Sequence, residues 1–381
     1  MEFLTLESLF QCGRVVSVAA VASSGLAFGF AGTASSATST QESGMEMAQR
    51  VLATIPLIDG HNDLPWEIRN AEVPGDVRAY GLEGRTAGHT DIPRLREGRV
   101  GGQFWSVYVP VTAMEEGVAA RTQLEQIDIA LALIREHPEH FELAQTAADV
   151  GRIFAQGRIA SILGMEGGHV IENSLGVLRA FYELGARYMT LTHSASHDWA
   201  DSSEGPFRHG GLSDFGREVV REMNRLGMLV DLSHASDATM SDALDVAQAP
   251  VIFSHSAARA LTEHHRNVPD SILRRLPENG GVIMIVFYPP FVSERQSAEL
   301  TDVADHLDYV KGLIGADHVG LGSDFDGIPT VVRGLEDVST FPDLLAELAR
   351  RGWSEAELRK VAGENILRVM RESEVVARRL Q

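Results

Sequence analysis

The stretch LIDGHNDLPW (residues 57–66) joins a short apolar run to a histidine and an aspartate two positions apart. Side chains alternate between the two faces of an extended strand, so His61 and Asp63 would point to the same side. Two ligands placed in this way suit a metal ion, although a polar strand end that runs into a turn gives the same short pattern. The rest of the chain decides between these interpretations.

Short β-rich runs of this kind recur after residue 51 and alternate with longer segments of helical periodicity. The eight runs are LIDGH (57–61), QFWSVYV (103–109), IASILGME (159–166), RYMTLTH (187–193), MLVDLSH (228–234), PVIFSH (250–255), GVIMIVF (281–287) and HVGLGSD (318–324). Eight strand and helix units predict an α/β fold, a single-domain (β/α)8 TIM barrel. An open doubly wound sheet is the alternative, but no glycine-rich phosphate loop follows the first run.

The polar residues at the ends of these runs would share one rim, because parallel barrel strands present their C-terminal ends at one mouth of the barrel. Six of the eight runs end in a side chain that can bind a metal or transfer a proton. These residues are His61, Asp63, Glu166, His193, His234, His255 and Asp324. Each alone is typical of a hydrogen-bonded structural residue, but their joint placement predicts a metal site at the C-terminal ends of the strands.

The composition narrows the chemistry of such a site. The single cysteine, Cys12, lies in the first segment, which excludes a cysteine-based zinc site. Only Lys311 and Lys360 are lysine, and both fall in helical patterns away from strand ends, so a carboxylated lysine cannot bridge two metals. Two imidazoles, an aspartate and a shared glutamate can hold two zinc ions if the glutamate bridges them, and manganese or cobalt would suit the same ligands.

The net charge of the chain and its N-terminal segment indicate which partners it can bind and where in the cell it is located. The formal net charge of -20 argues against a nucleic acid partner or an anionic membrane surface. Val15 to Phe30 is almost wholly apolar or small, Arg14 precedes it, and small residues suited to signal cleavage follow. We expect residues 1–37 to form a signal peptide or N-terminal anchor, 38–50 a linker and 51–381 the barrel domain. The protein would then be exported, periplasmic or secreted, and its mature domain would contact a membrane only if the N-terminal segment is retained.

Nine stretches of the chain resemble, in order and spacing, the motifs of the membrane dipeptidase (renal dipeptidase) family, zinc peptidases of the amidohydrolase superfamily. They are DGHNDLPW, GGQFWSVY, GMEGGH, RYMTLTHS, WADS, VDLSHAS, PVIFSHS, RNVPD and HVGLGSDFDG. The likeness runs from about Leu57 to the GENILRV segment near the C-terminus. It implies two zinc ions per chain, a dipeptide substrate and a homodimer.

The resemblance also implies roles for individual residues of this sequence. The family's metal-binding positions match His61 and Asp63 for a first zinc, His234 and His255 for a second, and Glu166 as the bridge. Its substrate-binding and catalytic positions match His193, Arg266 and Asp324.

The mechanism expected from these positions is attack of a metal-bridged hydroxide on the peptide carbonyl. Asp324 would act as general base and then as general acid toward the departing amine, and His193 would stabilise the oxyanion. Arg266 would hold the free carboxylate of the substrate with two parallel hydrogen bonds, which selects dipeptides. Without the family likeness, an arginine in HHRNVPD is more typical of a surface salt bridge.

Two other functions are compatible with the sequence. The same chemistry would serve another amidohydrolase activity, such as hydrolysis of an N-acyl amino acid, a β-lactam or a lactone. A non-catalytic exported binding protein would keep the barrel and lose the reaction. In addition, His197 and Asp198 are expected near the rim, while Trp105 and Trp199 suit either the pocket wall or buried packing.

Overall fold

The computed structural model describes residues 43–381. Its strands are β1 (Leu57–Asn62), β2 (Val100–Ser106), β3 (Phe141–Leu143), β4 (Ile159–Glu166), β5 (Ala186–Thr190), β6 (Leu229–Asp231), β7 (Ile252–Ser256), β8 (Val282–Ile285) and β9 (Val319–Leu321). All eight runs that the sequence predicts as strands lie in this sheet. The short strand β3 is the one that the periodicity does not indicate.

Eight of the strands close into a parallel barrel. They are neighbours in the order β1, β2, β4, β5, β6, β7, β8 and β9, and β9 pairs with β1 where Leu321 lies opposite Asp59. β2 pairs directly with β4 from Gly102 to Ser106. β3 lies beside the N-terminal half of β4, whose C-terminal half pairs with β5. The predicted (β/α)8 barrel is therefore confirmed, with β3 as an addition outside the closed ring.

Helices connect the strands and surround the barrel. The α-helices are α1 (Gly44–Leu52), α2 (Leu64–Arg69), α3 (Val77–Tyr80), α4 (Ile92–Glu97), α5 (Thr112–Glu115), α6 (Ala119–Glu136), α7 (Ala147–Ala155), α8 (Leu175–Glu183), α9 (Asp214–Leu226), α10 (Asp237–Val246), α11 (Asp270–Leu273), α12 (Leu276–Asn279), α13 (Pro289–Val292), α14 (Leu300–Ile314), α15 (Phe341–Arg350), α16 (Glu355–Arg359) and α17 (Asn365–Leu380). Short 3-10 helices cover Gly168–Ile171, Ala316–His318 and Val338–Thr340, and a π-helical turn covers Lys360–Glu364.

Helix α9 illustrates why the segments between strands are helical. Its apolar residues recur at helical spacing on one face, which packs inward. The buried ones are Val219, Val220, Met223 and Leu226. Burial of each aliphatic side chain of this size stabilises the fold by about 1.5–3 kcal/mol. The helix begins where Ser213 accepts a hydrogen bond from the Gly216 amide, and it ends at Gly227, whose φ of 85° is left-handed.

Side chains from the strands fill the barrel interior and reach the rim. Ile58, Phe104 and Tyr188 belong to one buried apolar cluster inside the ring. Gly164 leaves room for Tyr188, because a Cβ atom at this glycine would lie 2.0 Å from the tyrosine ring. The Tyr188 hydroxyl lies 2.7 Å from His61 Nδ1, so interior packing directly positions a residue of the rim.

The predicted linker is partly helical. Residues 44–50 belong to α1, which begins after Ser43 with a capping box between Ser43 and Glu46. The predicted signal peptide or anchor (1–37) and the first part of the linker lie outside the described residues. None of the helices between residues 43 and 381 combines the length and the apolar character that a transmembrane span requires.

Candidate active site

All seven polar residues predicted at the barrel rim converge at the C-terminal ends of the strands. His61 and His255 lie within β1 and β7, and Glu166 is the last residue of β4. The other four follow their strands by one to three residues: Asp63, His193, His234 and Asp324. Six of the seven line one cavity of about 520 Å³, and His61 is buried against Glu166. The predicted convergence at one mouth of the barrel is therefore confirmed.

The carboxylate of Glu166 lies between two sets of histidines. Its Oε2 atom is 3.5 Å from His61 Nε2. Its Oε1 atom is 3.0 Å from His234 Nε2 and 3.4 Å from His255 Nε2. Each oxygen therefore faces a different imidazole set, which is what a carboxylate needs in order to bridge two neighbouring cations.

Further ligand atoms surround this carboxylate. Asp63 Oδ2 and Asp324 Oδ1 lie 3.2 and 4.0 Å from His61 Nε2. His193 Nε2 lies 3.8 Å from Glu166 Oε1. Three groups have ligand atoms within 4.8 Å of one another: His61 with Glu166 and His255, Glu166 with His193 and His234, and His61 with Asp63 and Asp324. His193 and Asp324, to which the family resemblance gives substrate-binding and catalytic roles, therefore also belong to groups whose atoms could hold a metal ion.

Hydrogen bonds orient two of the imidazoles. Tyr188 lies 2.7 Å from His61 Nδ1, and Ser254 Oγ lies 2.8 Å from His255 Nδ1. Because Ser254 donates its own proton to Asp231 Oδ2, it accepts the proton of His255 Nδ1. His61 Nε2 is buried and makes no well-aligned hydrogen bond within the described part of the chain. Partners on Nδ1 that leave Nε2 available are typical of metal-binding histidines, so these residues fit a metal ion.

Negative charge is concentrated in this buried site. Burial raises the pKa of Asp324 well above its usual value; His61 opposes the rise, while Asp63 and Glu166 add to it. Burial also acts to raise the pKa of Glu166, but the neighbouring His61 and His193 hold that pKa well below its usual range. Buried carboxylates cost free energy unless positive charge or hydrogen bonds compensate them. The cluster therefore favours bound cations.

The backbone at the rim adopts conformations that L-residues rarely take. His234 and Asp324 have φ angles of 65° and 67°. Left-handed backbone at residues other than glycine costs about 1–3 kcal/mol and is enriched at functional sites. Gly327 approaches the site so closely that a Cβ atom there would lie 2.3 Å from Asp63 Oδ2 and 2.7 Å from Asp324 Oδ1. The left-handed backbone at Asp324 and the absence of a side chain at Gly327 therefore allow the carboxylates of Asp63 and Asp324 to lie close together.

Arg266 lines the same cavity and is not a surface residue. It is 2% exposed, and its Nη1 atom has no hydrogen-bond partner among residues 43–381. Its guanidinium carbon lies 5.3 Å from the centre of the Phe291 ring. Within the described residues it forms no salt bridge, so the surface salt bridge considered from the sequence is wrong. A buried, incompletely paired guanidinium facing a cavity suits an anionic ligand.

Sequence reasoning missed much of the cavity wall. The additional lining residues are Trp66, Glu67, Tyr108, Glu204, Tyr288, Phe291, Asp326, Gly327, Ile328 and Pro329. Trp66 and Glu67 follow Asp63 on α2, and Tyr108 follows β2 by two residues. Because these three residues come soon after a strand end, the sequence could have predicted that they lie near the rim. The loop residues carried no comparable signal.

Several other side chains lie apart from the cavity. Trp105 and Trp199 are fully buried packing residues, and Trp105 Nε1 donates to Ser161 Oγ. His197 and Asp198, expected near the rim, line a separate cavity of about 210 Å³.

The two lysines are confirmed to be remote from the metal-ligand groups. Lys311 lies on α14 and Lys360 in the π-helical turn. Each pairs with a carboxylate outside the cavity, Lys311 with Glu357 and Lys360 with Asp317.

Similarity to known proteins agrees with this site. Residues 45–381 match the family described as membrane dipeptidase (peptidase family M19). The dipeptidase verJ of Clonostachys rogersoniana is 47% identical over 350 residues, which is 88% of this chain and 89% of that protein.

Two solved structures are similar over 84% of this chain and 99% of their own. One is a metallopeptidase from Rhodobacter sphaeroides liganded with a phosphinate mimic of the dipeptide L-Ala-D-Ala, at 31% identity and a TM-score of 0.77. The other is the dipeptidase AC, a metallopeptidase of family M19, at 33% identity and a TM-score of 0.77. The chain therefore belongs to the membrane dipeptidase family, peptidase family M19, and is a hydrolase of the metallodipeptidase type.

Proposed function

We propose that this protein hydrolyses dipeptides with two zinc ions, the first held by His61 and Asp63, the second by His234 and His255, and both by Glu166. The observation that carries the proposal is the position of Glu166, whose two oxygens face different imidazoles at 3.0–3.5 Å. Nitrogen and oxygen ligands favour zinc, and manganese or cobalt would suit the same set. When bound, the two ions would supply an activated water and polarise the scissile carbonyl.

Asp324 acts in this proposal as the group that moves the proton. Its pKa is raised well above that of an ordinary carboxyl, chiefly by burial, so it accepts a proton more readily than an exposed aspartate does. It would take the proton of the attacking water and deliver it to the departing amine, as a general base that becomes a general acid.

His193 and Arg266 hold the substrate. The His193 ring lines the cavity, where it would donate a hydrogen bond to the oxygen of the scissile carbonyl as negative charge develops. Arg266 would bind the free C-terminal carboxylate of the dipeptide through its incompletely paired guanidinium. A carboxylate bound there would direct the adjacent peptide bond toward the metal ligands in the same cavity, so the proposal predicts a preference for short substrates with a free C-terminus.

The stereochemistry that the site accepts is also proposed. The relative from Rhodobacter sphaeroides is liganded with a phosphinate mimic of L-Ala-D-Ala. A phosphinate is tetrahedral where an amide is planar, so it resembles the addition intermediate of peptide hydrolysis. By analogy, we propose that this chain accepts a D-residue at the second position of its substrate.

A substrate panel tests the proposal against other amidohydrolase activities. Zinc-reconstituted protein would be assayed on L,L- and L,D-dipeptides, on N-acyl amino acids, and on a β-lactam and a lactone. We expect the largest kcat/KM for dipeptides. Dominant activity on the acyl compounds would replace the proposed function. A gently purified protein that holds much less than two metals per chain, and that stays inert after zinc is restored, would favour the binding role.

Export remains a separate proposal. It rests on the apolar segment from Val15 to Phe30 and on the small residues that follow. Expression of the full chain followed by mass determination of the N-terminus would test it. Cleavage near Ala34 or Ala37 is expected, and an intact N-terminus on a protein retained inside the cell would contradict it.

A further inference from the structure

A buried carboxylate lies behind one of the metal-binding imidazoles. Asp231 is the last residue of β6 and is fully buried. Its Oδ1 atom accepts hydrogen bonds from the backbone amides of Ser233 (3.2 Å) and Ser254 (2.8 Å). Its Oδ2 atom accepts from the hydroxyls of Thr190 (2.5 Å) and Ser254 (2.6 Å). Burial raises the pKa of Asp231, and these hydrogen bonds oppose that rise. All four bonds point toward the carboxylate, which acts only as an acceptor.

Ser254 connects this carboxylate to His255. Its hydroxyl donates to Asp231 Oδ2, and its oxygen lies 2.8 Å from His255 Nδ1. A hydroxyl has a single proton, so Ser254 can only accept from His255, which must carry its own proton on Nδ1. The lone pair is then on Nε2, which lies 3.4 Å from Glu166 Oε1 and 3.0 Å from His234 Nε2. The direction of the two bonds therefore leaves the nitrogen at the cavity free to bind a metal ion.

The other two imidazoles assigned to metal differ in this respect. His61 Nδ1 lies 2.7 Å from the hydroxyl of Tyr188, which can donate as well as accept. His234 Nδ1 is buried and has no hydrogen-bond partner among residues 43–381. Of these three histidines, only His255 therefore has a partner that fixes which ring nitrogen carries the proton.

We propose that Asp231 is a positioning residue for the second metal ion: through Ser254, it holds His255 in the tautomer whose Nε2 atom binds that ion. This inference rests on the proposed function, in which His234, His255 and Glu166 hold the second zinc. A carboxylate that supports a metal-binding histidine often accepts the imidazole proton directly. Here a serine hydroxyl stands between the two groups, so the carboxylate acts by setting the direction of both hydrogen bonds.

Replacement of Asp231 by asparagine should reverse this chain of hydrogen bonds. The two backbone amides that face Oδ1 can only donate, so the side-chain oxygen of the asparagine must remain beside them. Its NH2 group would then face the hydroxyls of Thr190 and Ser254 and donate to them. Ser254 would in turn donate to His255 Nδ1, and the imidazole proton would move to Nε2, where it opposes metal binding. We therefore expect Asp231→Asn to weaken binding of the second zinc by about 10- to 100-fold.

Two measurements test this inference. Zinc affinity is measured by chelator competition in a His61→Ala background, in which only the second ion should remain. The protonated nitrogen of His255 is identified by 15N NMR of metal-free, histidine-labelled protein above neutral pH, with His255→Gln for the assignment. We expect the proton on Nδ1 without further substitution and on Nε2 in Asp231→Asn. Asp59→Asn is the matched control, because Asp59 is another fully buried, hydrogen-bonded carboxylate of the barrel, and it should change neither result.

A second substitution separates this role from a purely structural one. Ser254→Ala removes the hydroxyl through which the asparagine acts, so the double variant should bind the second zinc more tightly than Asp231→Asn does. Damage to packing would instead make the double variant bind it more weakly. If Asp231→Asn does not fold, Ser254→Ala alone serves as the test, because His255 should then no longer be held in one tautomer.

The possible results distinguish this inference from the proposed function. A proton that stays on His255 Nδ1, or an unchanged zinc affinity, in a folded Asp231→Asn would overturn the inference while leaving dipeptide hydrolysis intact. A double variant that binds zinc more weakly than Asp231→Asn, or a single Nδ1 tautomer that persists in Ser254→Ala, would do the same. Failure of the unmodified protein to bind a second zinc would overturn the inference and the proposed function together.

Discussion

Replacement of Arg266 by alanine should weaken substrate binding much more than it slows turnover. The guanidinium is 2% exposed and lines the cavity, so its pairing with a substrate carboxylate would be shielded from water. Truncating one partner of a buried charge pair costs about 2–5 kcal/mol, and the open cavity places this case near the lower end. A loss of about 2–3 kcal/mol corresponds to a KM increase of about 30- to 150-fold.

The assay compares each dipeptide with its C-terminal amide, which lacks the carboxylate. For the unmodified protein, KM should be lower for the free acid than for the amide by a factor similar to the one that Arg266→Ala causes. For Arg266→Ala, the two substrates should have the same KM, because neither can pair with a guanidinium at this position. Arg274→Ala is a suitable control, since its side chain is 61% exposed and lies 4.0 Å from its acidic neighbour Asp270. An Arg266→Ala variant that loses kcat as strongly as kcat/KM, or that still prefers the acid, would refute this role.

Three further substitutions test the remaining parts of the site. Glu166→Gln should abolish turnover and lower the zinc content while circular dichroism shows a folded barrel; full activity would exclude the bridging role. Asp324→Asn should abolish turnover, because the amide cannot take up a proton; residual kcat within tenfold of the original would point to another base. Tyr188→Phe should lower zinc affinity by about 10- to 100-fold in a chelator competition, because His61 loses the hydroxyl on Nδ1. An unchanged affinity would show that packing alone orients this imidazole.

The barrel and its rim could be predicted from the sequence because strand ends are a local signal. Glu166 and His255 end apolar runs, and in a closed parallel barrel all such ends meet at one mouth. Eight predicted strands are therefore enough to predict that these side chains converge, even though the sequence does not show which strands are neighbours in the sheet. The strand β3 escaped prediction because three residues, Phe141–Leu143, are too few to establish a period of two.

Contacts between distant segments could not be predicted in this way. The bond from Tyr188 to His61 connects β5 to β1 across the interior and depends on the space left by Gly164. The burial of Arg266 depends on how the loop after β7 folds over Phe291. A single sequence carries no periodic signal for such loops, and only the resemblance to a known family pointed to Arg266.

Calorimetric titration of the metal-free protein with zinc tests the shared carboxylate most directly. The unmodified chain should bind two ions, His61→Ala and His234→Ala should each retain one, and Glu166→Gln should weaken both binding events. Binding of a single ion by the unmodified chain, or two undisturbed sites in Glu166→Gln, would contradict a centre in which one glutamate joins two metals.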